Sequence, residues 1–534
     1  MIPYSRPKIF LILALSLVFT FCSLQEEKSH KNVIFITLDT QRADYISVRN
    51  PEKSSTPNID FLAREGIFCE NCYSLIPITA PAHASIFYSL PPHLLQLYNN
   101  GQIFHPQKNL TSLAEVFRNK GVKTAAFVSL GVLQSHFQLN QGFDHFDDSL
   151  SPNRWYLHAQ EVNDKVFSWI QKNKDHDFFV WIHYSDPHDP YAPPSLPPDL
   201  RIDLNGELHS QICLQKYERL NLNFKLHQGK NEIRFTVLNP FPDSDEQFRA
   251  VLNDIEFFHP ESMRLSFEDI HFVQRGEKKS ALIKKQGTIK IDNPENEGEF
   301  LITARGNLNL SVSEKVFFYK QEVEYMDHQI GNLTEKLKEW KLLGDCLVVL
   351  VGDHGEGLGE NTTGYGERYF GHIHYLYGRY MKVPLVFFDE SLKKKGVIIK
   401  DLTTLLDVAP TVLGLMGWKK QPFYQGIDLV HKRRRSESIL EETYSPEAIY
   451  DRFGLIQHPW HLVLTPAIQK FELYDLVSDP DEKQDVFARY NGSKTIKNLI
   501  KILHKRTSDI LQGKKEVAID KKSLEMLKSL GYIK

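Results

Sequence analysis

Val33-Ile34-Phe35-Ile36-Thr37-Leu38-Asp39 is an apolar run, rich in β-branched residues, that stops on a carboxylate. A continuous run of this length fits a strand buried on both faces of a parallel sheet. The Asp at its carboxyl end stands where open α/β sheets gather their ligands. Phe178 to His183 and Leu347 to Val351 repeat the pattern, closing on Ser185-Asp186-Pro187-His188 and on Gly352-Asp353-His354-Gly355. Three strands that each deliver a polar cluster at the same end predict one shared cleft. Asn58 to Glu65, Ser112 to Lys120, Glu161 to Lys172 and Lys320 to Trp340 place apolar residues at helical spacing between them. The expected core is doubly wound α/β.

From about Pro197 to Val316 the character changes. Leu220 to Leu226, Asn231 to Leu238, Met263 to Phe272 and Phe300 to Val312 alternate apolar and polar residues, with Gly, Asn and Asp at the turns. This reads as a separate all-β unit of six or more short strands, sandwich-like and inserted into the α/β pattern. The expected organisation is an export signal over 1–22, a first catalytic part over 32–196, the β-rich insert over 197–316, and a second catalytic part with a C-terminal subdomain over 317–534.

The 534 residues are 41% hydrophobic and 25% charged, with a formal charge of -3, which gives no reason to expect a nucleic-acid partner. Five cysteines are too few and too irregular for a disulfide framework. The Cys69/Cys72 pair lacks a second pair to complete a zinc site and reads as buried thiols. Arg6 and Lys8 precede an apolar run from Ile9 to Phe21, of signal-peptide length and short for a membrane span. The run ends in Phe19-Thr20-Phe21-Cys22-Ser23 and resembles a relaxed bacterial lipoprotein cleavage box, so Cys22 is expected to carry lipid. The chain is then an exported, membrane-anchored lipoprotein facing the periplasm or the cell exterior. Lys432 to Arg435 is a basic run of the kind that usually forms a solvated loop.

Asp39, Asp353 and His354 carry the strongest chemical signal, because two carboxylates and an imidazole at strand ends make a pocket for a divalent cation. An Asp after a strand also serves as a helix cap, so Asp39 alone decides little. The Gly352 to Glu360 segment is more specific: its packed glycines are expected to let the backbone approach a ligand while Asp353 and His354 project together.

Ile36-Thr37-Leu38-Asp39-Thr40-Gln41-Arg42-Ala43-Asp44, Thr56-Pro57-Asn58-Ile59-Asp60 and Thr79-Ala80-Pro81-Ala82-His83-Ala84-Ser85 together resemble the opening of sulfatase-like hydrolases of the alkaline phosphatase superfamily. Gln141-Gly142-Phe143-Asp144, Asp186-Pro187-His188-Asp189-Pro190-Tyr191, Lys382-Val383-Pro384-Leu385, Glu472-Leu473-Tyr474-Asp475-Leu476 and Leu530-Gly531-Tyr532 follow in order. The resemblance covers 32 to about 196 and 317 to 534 and implies an α/β/α sandwich with a mostly parallel sheet. It implies that Asp39, Thr79, Asp353 and His354 surround one metal ion, calcium by analogy, although the imidazole favours manganese or zinc. It also implies that Thr79 is the nucleophile, that His188 and His372 contact the ester or protonate the leaving group, and that His83 replaces an arginine of the sulfatase motif.

The sequence departs from that family where it matters chemically. Sulfatases carry a formylglycine made from Cys or Ser where this chain has Thr79, and threonine has no route to that aldehyde. A cation-activated threonine hydroxyl attacking sulfur or phosphorus is the chemical alternative. A turn threonine before Pro81 is the plain one. Thr40 replaces a second metal-binding Asp, Ile373 an expected Gly, and Pro91-Pro92-His93-Leu94-Leu95 lacks a His-Gly. The expected function is hydrolysis of a sulfuric or phosphoric-type ester, free or glycan-linked. The alternatives are phosphodiester or phosphonate hydrolysis, head-group transfer to a surface glycan, and glycan binding by a non-catalytic lipoprotein.

Overall fold

The computed structural model describes residues 32–515, apart from 151–153, 195–197, 215–218, 239–249, 276–277, 309, 363–365, 392–394, 432–437 and 446–448. The expected signal and Cys22, the 432–435 basic run and the Leu530-Gly531-Tyr532 landmark lie outside the described residues or almost entirely so.

The Val33 run forms β1 (Asn32–Leu38), every residue of it buried. Chain order continues with α1 (Pro57–Glu65), β2 (Ile67–Tyr73), α2 (Thr79–Tyr88), α3 (Pro92–Leu95), α4 (Leu113–Asn119), β3 (Lys123–Phe127), β4 (His145–Asp147), α5 (Ala159–Asn173) and β5 (Phe178–Tyr184). β6 (Leu200–Leu204), β7 (Glu207–Ile212), β8 (Arg219–Val237), β9 (Ala250–Phe258), β10 (Arg264–Arg275) and β11 (Lys278–Leu308) follow, then α6 (Val312–Glu339) and β12 (Cys346–Gly352). Nine strands make the main sheet, in which β12, β1, β5, β3 and β4 run parallel side by side. Beyond β12, antiparallel pairing through Leu385–Phe388 joins β2 to the same sheet.

Alternate side chains of β1 enter opposite cores, as the two-residue strand period requires. Val33 and Phe35 pack with α2 and α4, whereas Ile34, Ile36 and Leu38 pack with α1, α5 and α6. The result is the α/β/α sandwich. α6 starts eight residues before the expected Lys320, because Ser311 and Glu314 close a reciprocal capping box at its N-terminus. That cap also ends the expected Phe300 to Val312 strand at Leu308.

The all-β unit is built differently from a set of short strands. β8 and β11 are long strands that bend and change partners: β11 pairs β8 on both sides of a register shift between Asn293 and Glu297. β11 also flanks β9 through two separate stretches and β10 through a third. Asp254 and Asp269, at φ of 49° and 55°, sit at the irregularities of β9 and β10, where a short polar side chain tolerates the left-handed region. The bent strands fold the sheet over a core that includes Phe224, Ile233, Ile289 and Phe300. A second antiparallel sheet, Ile439–Thr443, Arg452–Gln457, Trp460–Thr465 and Lys470–Asp475, lies near the C-terminus. No helix among the described residues is long and apolar enough to cross a membrane.

Candidate active site and metal centre

The register of the central strands brings the polar clusters together. Leu38 pairs with Gly352 on one side and Tyr184 on the other, so Asp39, Asp353 and Ser185 are the next residues of three adjacent strands. Two backbone bonds extend the ladder by one step, from Asp39 N to the Tyr184 carbonyl at 2.9 Å and from Asp353 N to the Leu38 carbonyl at 3.2 Å. The shared cleft expected from the sequence is therefore a consequence of strand order.

Asp39, Asp353 and His354 are fully buried and each offers a ligand atom within 4.8 Å of the others. Asp39 Oδ1 and Asp353 Oδ2 have no hydrogen-bond partner, and Asp39 Oδ2 faces only the His183 ring, 3.4 Å away. Buried carboxylate oxygens without donors are costly, and a divalent cation is the group that satisfies both at once. His354 fits the same role. Its Nδ1 lies 3.0 Å from the Gly355 carbonyl and donates there, which leaves the Nε2 lone pair for a ligand. Burial holds this imidazole down to about 3 and hence neutral. Burial and the neighbouring Asp39 push the Asp353 carboxyl well above its usual range. Burial also acts upward on Asp39, but the hydrogen bond from His183 and the charges of nearby histidines outweigh it and keep Asp39 below the usual range. The donor set of two carboxylates and one nitrogen fits a divalent metal.

Thr79 is the first residue of α2, a helix buried along its whole length. Its Oγ1 lies 3.3 Å from His354 Nε2, so it borders the Asp39, Asp353 and His354 cluster from a helix rather than from a turn. Pro81 falls in the first helical turn, where its missing N–H costs nothing. Developing negative charge on a side chain at this end of a helix is favoured by the unsatisfied N–H groups. Asn100 contributes here as well, accepting the Ala80 N–H at 2.9 Å and capping the helix from a loop.

The histidines divide into different placements. His83 Nδ1 donates to the Thr79 carbonyl at 2.8 Å, and its Nε2 accepts from Thr37 Oγ1 at 3.0 Å. Thr37 Oγ1 in turn accepts the Trp181 indole N–H at 2.9 Å. Both ring nitrogens are thus committed to the framework, and burial lowers His83 to about 3. As an uncharged ring with both nitrogens occupied, His83 stands at the arginine position without that arginine's charge. It is placed to orient Thr79.

His188 and His372 come together across the site, with ring centroids 5.4 Å apart, and His372 lies 4.4 Å from the His354 ring. His372 Nδ1 is 3.1 Å from Glu356 Oε2. Burial drives this neighbouring pair in opposite directions, Glu356 up to about 8 and His372 down to about 3. The pair therefore holds its proton on the carboxyl side.

Two expectations change. His183 is buried, as a core histidine should be, yet its Nε2 points at Asp39 Oδ2 from 3.4 Å. Its Nδ1 accepts from the Ser129 backbone and lies 2.8 Å from Ser129 Oγ, which fixes Nε2–H toward the carboxylate. It orients a carboxylate of the candidate metal cluster. The glycines of the Gly352 to Glu360 segment also serve another purpose: a Cβ on Gly355 would collide with the Arg379 carbonyl, and one on Gly357 with Gly371 and the Tyr380 ring. They allow close chain packing at these positions. Glu356 and Asn100 carried no separate signal in the sequence. Thr40 takes φ 53°, unusual for a β-branched residue, and its N–H donates to Asp353 Oδ1 at 3.1 Å. The Thr40 hydroxyl donates to the Asp39 carbonyl at 2.8 Å, so position 40 adds no carboxylate to the cluster.

The Sulfatase family profile matches residues 31–418, and a second profile, N-sulphoglucosamine sulphohydrolase, C-terminal, matches 366–509. The N-acetylglucosamine-6-O-sulfatase of Bacteroides thetaiotaomicron is 21% identical, over 93% of this chain and 90% of its own. The arylsulfatase of Clostridium perfringens is 23% identical, over 91% and 95%. Among solved structures, a protein in complex with its substrate D-glucosamine-2-N,6-O-disulfate superposes with a TM-score of 0.59 at 16% identity, over 91% of this chain and 100% of that one. The phosphonate monoester hydrolase of Agrobacterium radiobacter superposes with a TM-score of 0.55 at 14% identity, over 90% and 96%. These likenesses between structures concern the fold.

Proposed function

The chain belongs to the sulfatase family of ester hydrolases, and from that premise we propose that it cleaves a sulfuric or phosphoric-type ester by attack of Thr79. The observation that carries this reading is the placement of Thr79 Oγ1, 3.3 Å from His354 Nε2 and beside two carboxylates, of which Asp39 Oδ1 and Asp353 Oδ2 lack partners. Asp39, Asp353 and His354 would hold one divalent metal with Thr79 beside it. When bound, that ion supplies positive charge that acidifies the hydroxyl and neutralises the transferring group. The imidazole nitrogen favours manganese or zinc over calcium.

Thr79 Oγ1, its proton released to solvent, forms a bond to sulfur or phosphorus as the bond to the ester oxygen breaks. The departing oxygen takes a proton from His188 or His372, the latter fed by protonated Glu356 across the 3.1 Å contact. Water then attacks the threonyl ester, releasing the inorganic group and returning a proton to Oγ1. His83, Thr37 and Trp181 fix the helix that carries the nucleophile, and His183 fixes Asp39.

Sulfated glucosamine is the first substrate to assay, since relatives of the chain are named for it. A phosphodiester or phosphonate is the second, because Thr79 replaces the residue that would become an aldehyde. Matched aryl sulfate, phosphodiester and phosphonate esters should be turned over by the metal-loaded protein and not by Thr79→Ala. Equal rates for both proteins on every ester would refute the proposal. We further propose that the protein is exported and anchored through a lipid on Cys22, facing the periplasm or exterior. Membrane fractionation that leaves Cys22→Ala as firmly bound as the natural chain would refute that anchor.

A further inference from the structure

A cleft of about 410 Å³ is lined by six cations, Arg42, Arg49, Lys53, Arg379, Lys382 and Lys483, and by four carboxylates. Six against four leaves two positive charges over. The carboxylates are already committed. Asp44 and Glu360 hold Arg42, at 2.8 and 2.5 Å, and Asp44 also meets Lys53. Asp481 holds Lys483 at 2.6 Å, and Glu482 accepts from the buried His461 at 2.5 Å and from the Gly378 N–H.

Three cations are left with neutral partners. Arg49 donates to the Glu70 carbonyl, Lys382 to Asn71 Oδ1 at 2.7 Å, and Arg379 to the Asp481 carbonyl at 2.5 Å. Among the described residues these three have no carboxylate in ion-pair contact. Glu70 and Asn71 are consecutive in β2, so Arg49 and Lys382 are held side by side. Burial and then the charge of Arg49 lower Lys382 to about 8, and burial lowers Arg49 as well. Holding two cations together at such a cost is relieved by a bound anion. Guanidinium and ammonium donors in one recess match tetrahedral oxyanions.

We propose that this cleft is a second anion site, separate from the ester-cleaving site, which binds a sulfate or phosphate dianion through Arg49, Arg379 and Lys382. Arg42 joins the two sites. Its side chain lines the cleft and donates to the Glu356 carbonyl at 3.2 Å, and its backbone lies three residues after Asp39. The ligand is either a free inorganic ion or a further ester group on an extended substrate. The inference does not depend on turnover at Thr79.

Calorimetry on the metal-loaded full chain, titrated with sodium sulfate, sodium phosphate and glucosamine 6-O-sulfate, tests the site. At least one of these should show a binding event that persists in Asp353→Asn. The same event should weaken about tenfold or more in Arg49→Gln/Lys382→Gln. Tighter binding of the saccharide would assign the site to an extended substrate, and tighter binding of the free ions to an inorganic ligand. Unchanged binding in the double variant, or no event beyond one that Asp353→Asn removes, would overturn the proposal. Should the double variant fail to fold, Arg379→Gln and a selenate soak replace it. Selenium anomalous density must then appear between Arg49 and Lys382, and its absence there overturns the site.

Discussion

Oγ1 of Thr79 stands 3.3 Å from Nε2 of His354, although the two residues are 275 positions apart in the chain. The contact exists because α2 and the turn after β12 are packed against the end of the same strand, β1. It places a hydroxyl, which by itself is a weak nucleophile, among groups that can bind a cation.

Removing metal should abolish turnover and lower the thermal midpoint. A ligand that binds only the folded state stabilises it by about 2.7 kcal/mol at 100 times its dissociation constant. Asp353→Asn should reverse part of this pattern. With no cation, burial and Asp39 disfavour an ionised Asp353, so the metal-free variant should melt higher than the metal-free natural chain while gaining no stability from added zinc or manganese. Differential scanning calorimetry with and without chelator measures both effects.

His183→Gln should lower metal affinity or kcat/KM by about 10 to 100-fold, the usual effect of losing a group that orients a metal ligand. The ring points Nε2 at Asp39 Oδ2 from 3.4 Å and is itself fixed by Ser129. Metal titration of the variant by competition with a chromophoric chelator gives the number.

Thr37→Val removes the hydroxyl between Trp181 and His83 while keeping the shape of the side chain. Steady-state kinetics should show a lower kcat with KM little changed, by about tenfold, because the change acts on nucleophile orientation. An unchanged kcat would remove the relay from the account.

These networks show where the sequence was readable. Asp39 and Asp353 were legible because each follows a nearly continuous apolar strand run, and strand ends in such sheets converge. His183 was not, since a histidine inside such a run looks like any other core residue until register places it opposite Thr37. Glu356 and Asn100 act through contacts with His372 and Ala80 that no local pattern announces. Thr79 stood out only through its resemblance to a family motif. In the β unit, the polar stretch from His227 to Lys230 made the long bent strand β8 look like two short ones.

A buried His461, flanked by Glu482 at 2.5 Å and Glu441 at 3.0 Å, gives stability its own pH dependence. Burial opposes the charge on His461, but the two carboxylates raise it from 6.5 to about 10. A raised folded value means stability that is full below about 6.5 and lost as pH climbs toward 10. Burial raises Glu441 from 4.5 to about 7, which adds a loss in the same direction between those values. Chemical denaturation across pH 5 to about 10 should show this decline, and His461→Gln should flatten its alkaline part.

The central claim is that Thr79 is the nucleophile, and rapid quenching of turnover followed by mass spectrometry of the peptide that carries it tests this most directly. The account predicts a sulfuryl or phosphoryl increment on Thr79 in the natural chain, none in Thr79→Ala, and a loss of activity in that variant of about 10⁴-fold or more. A Thr79→Ala protein that binds metal and turns over ester at the natural rate would contradict it.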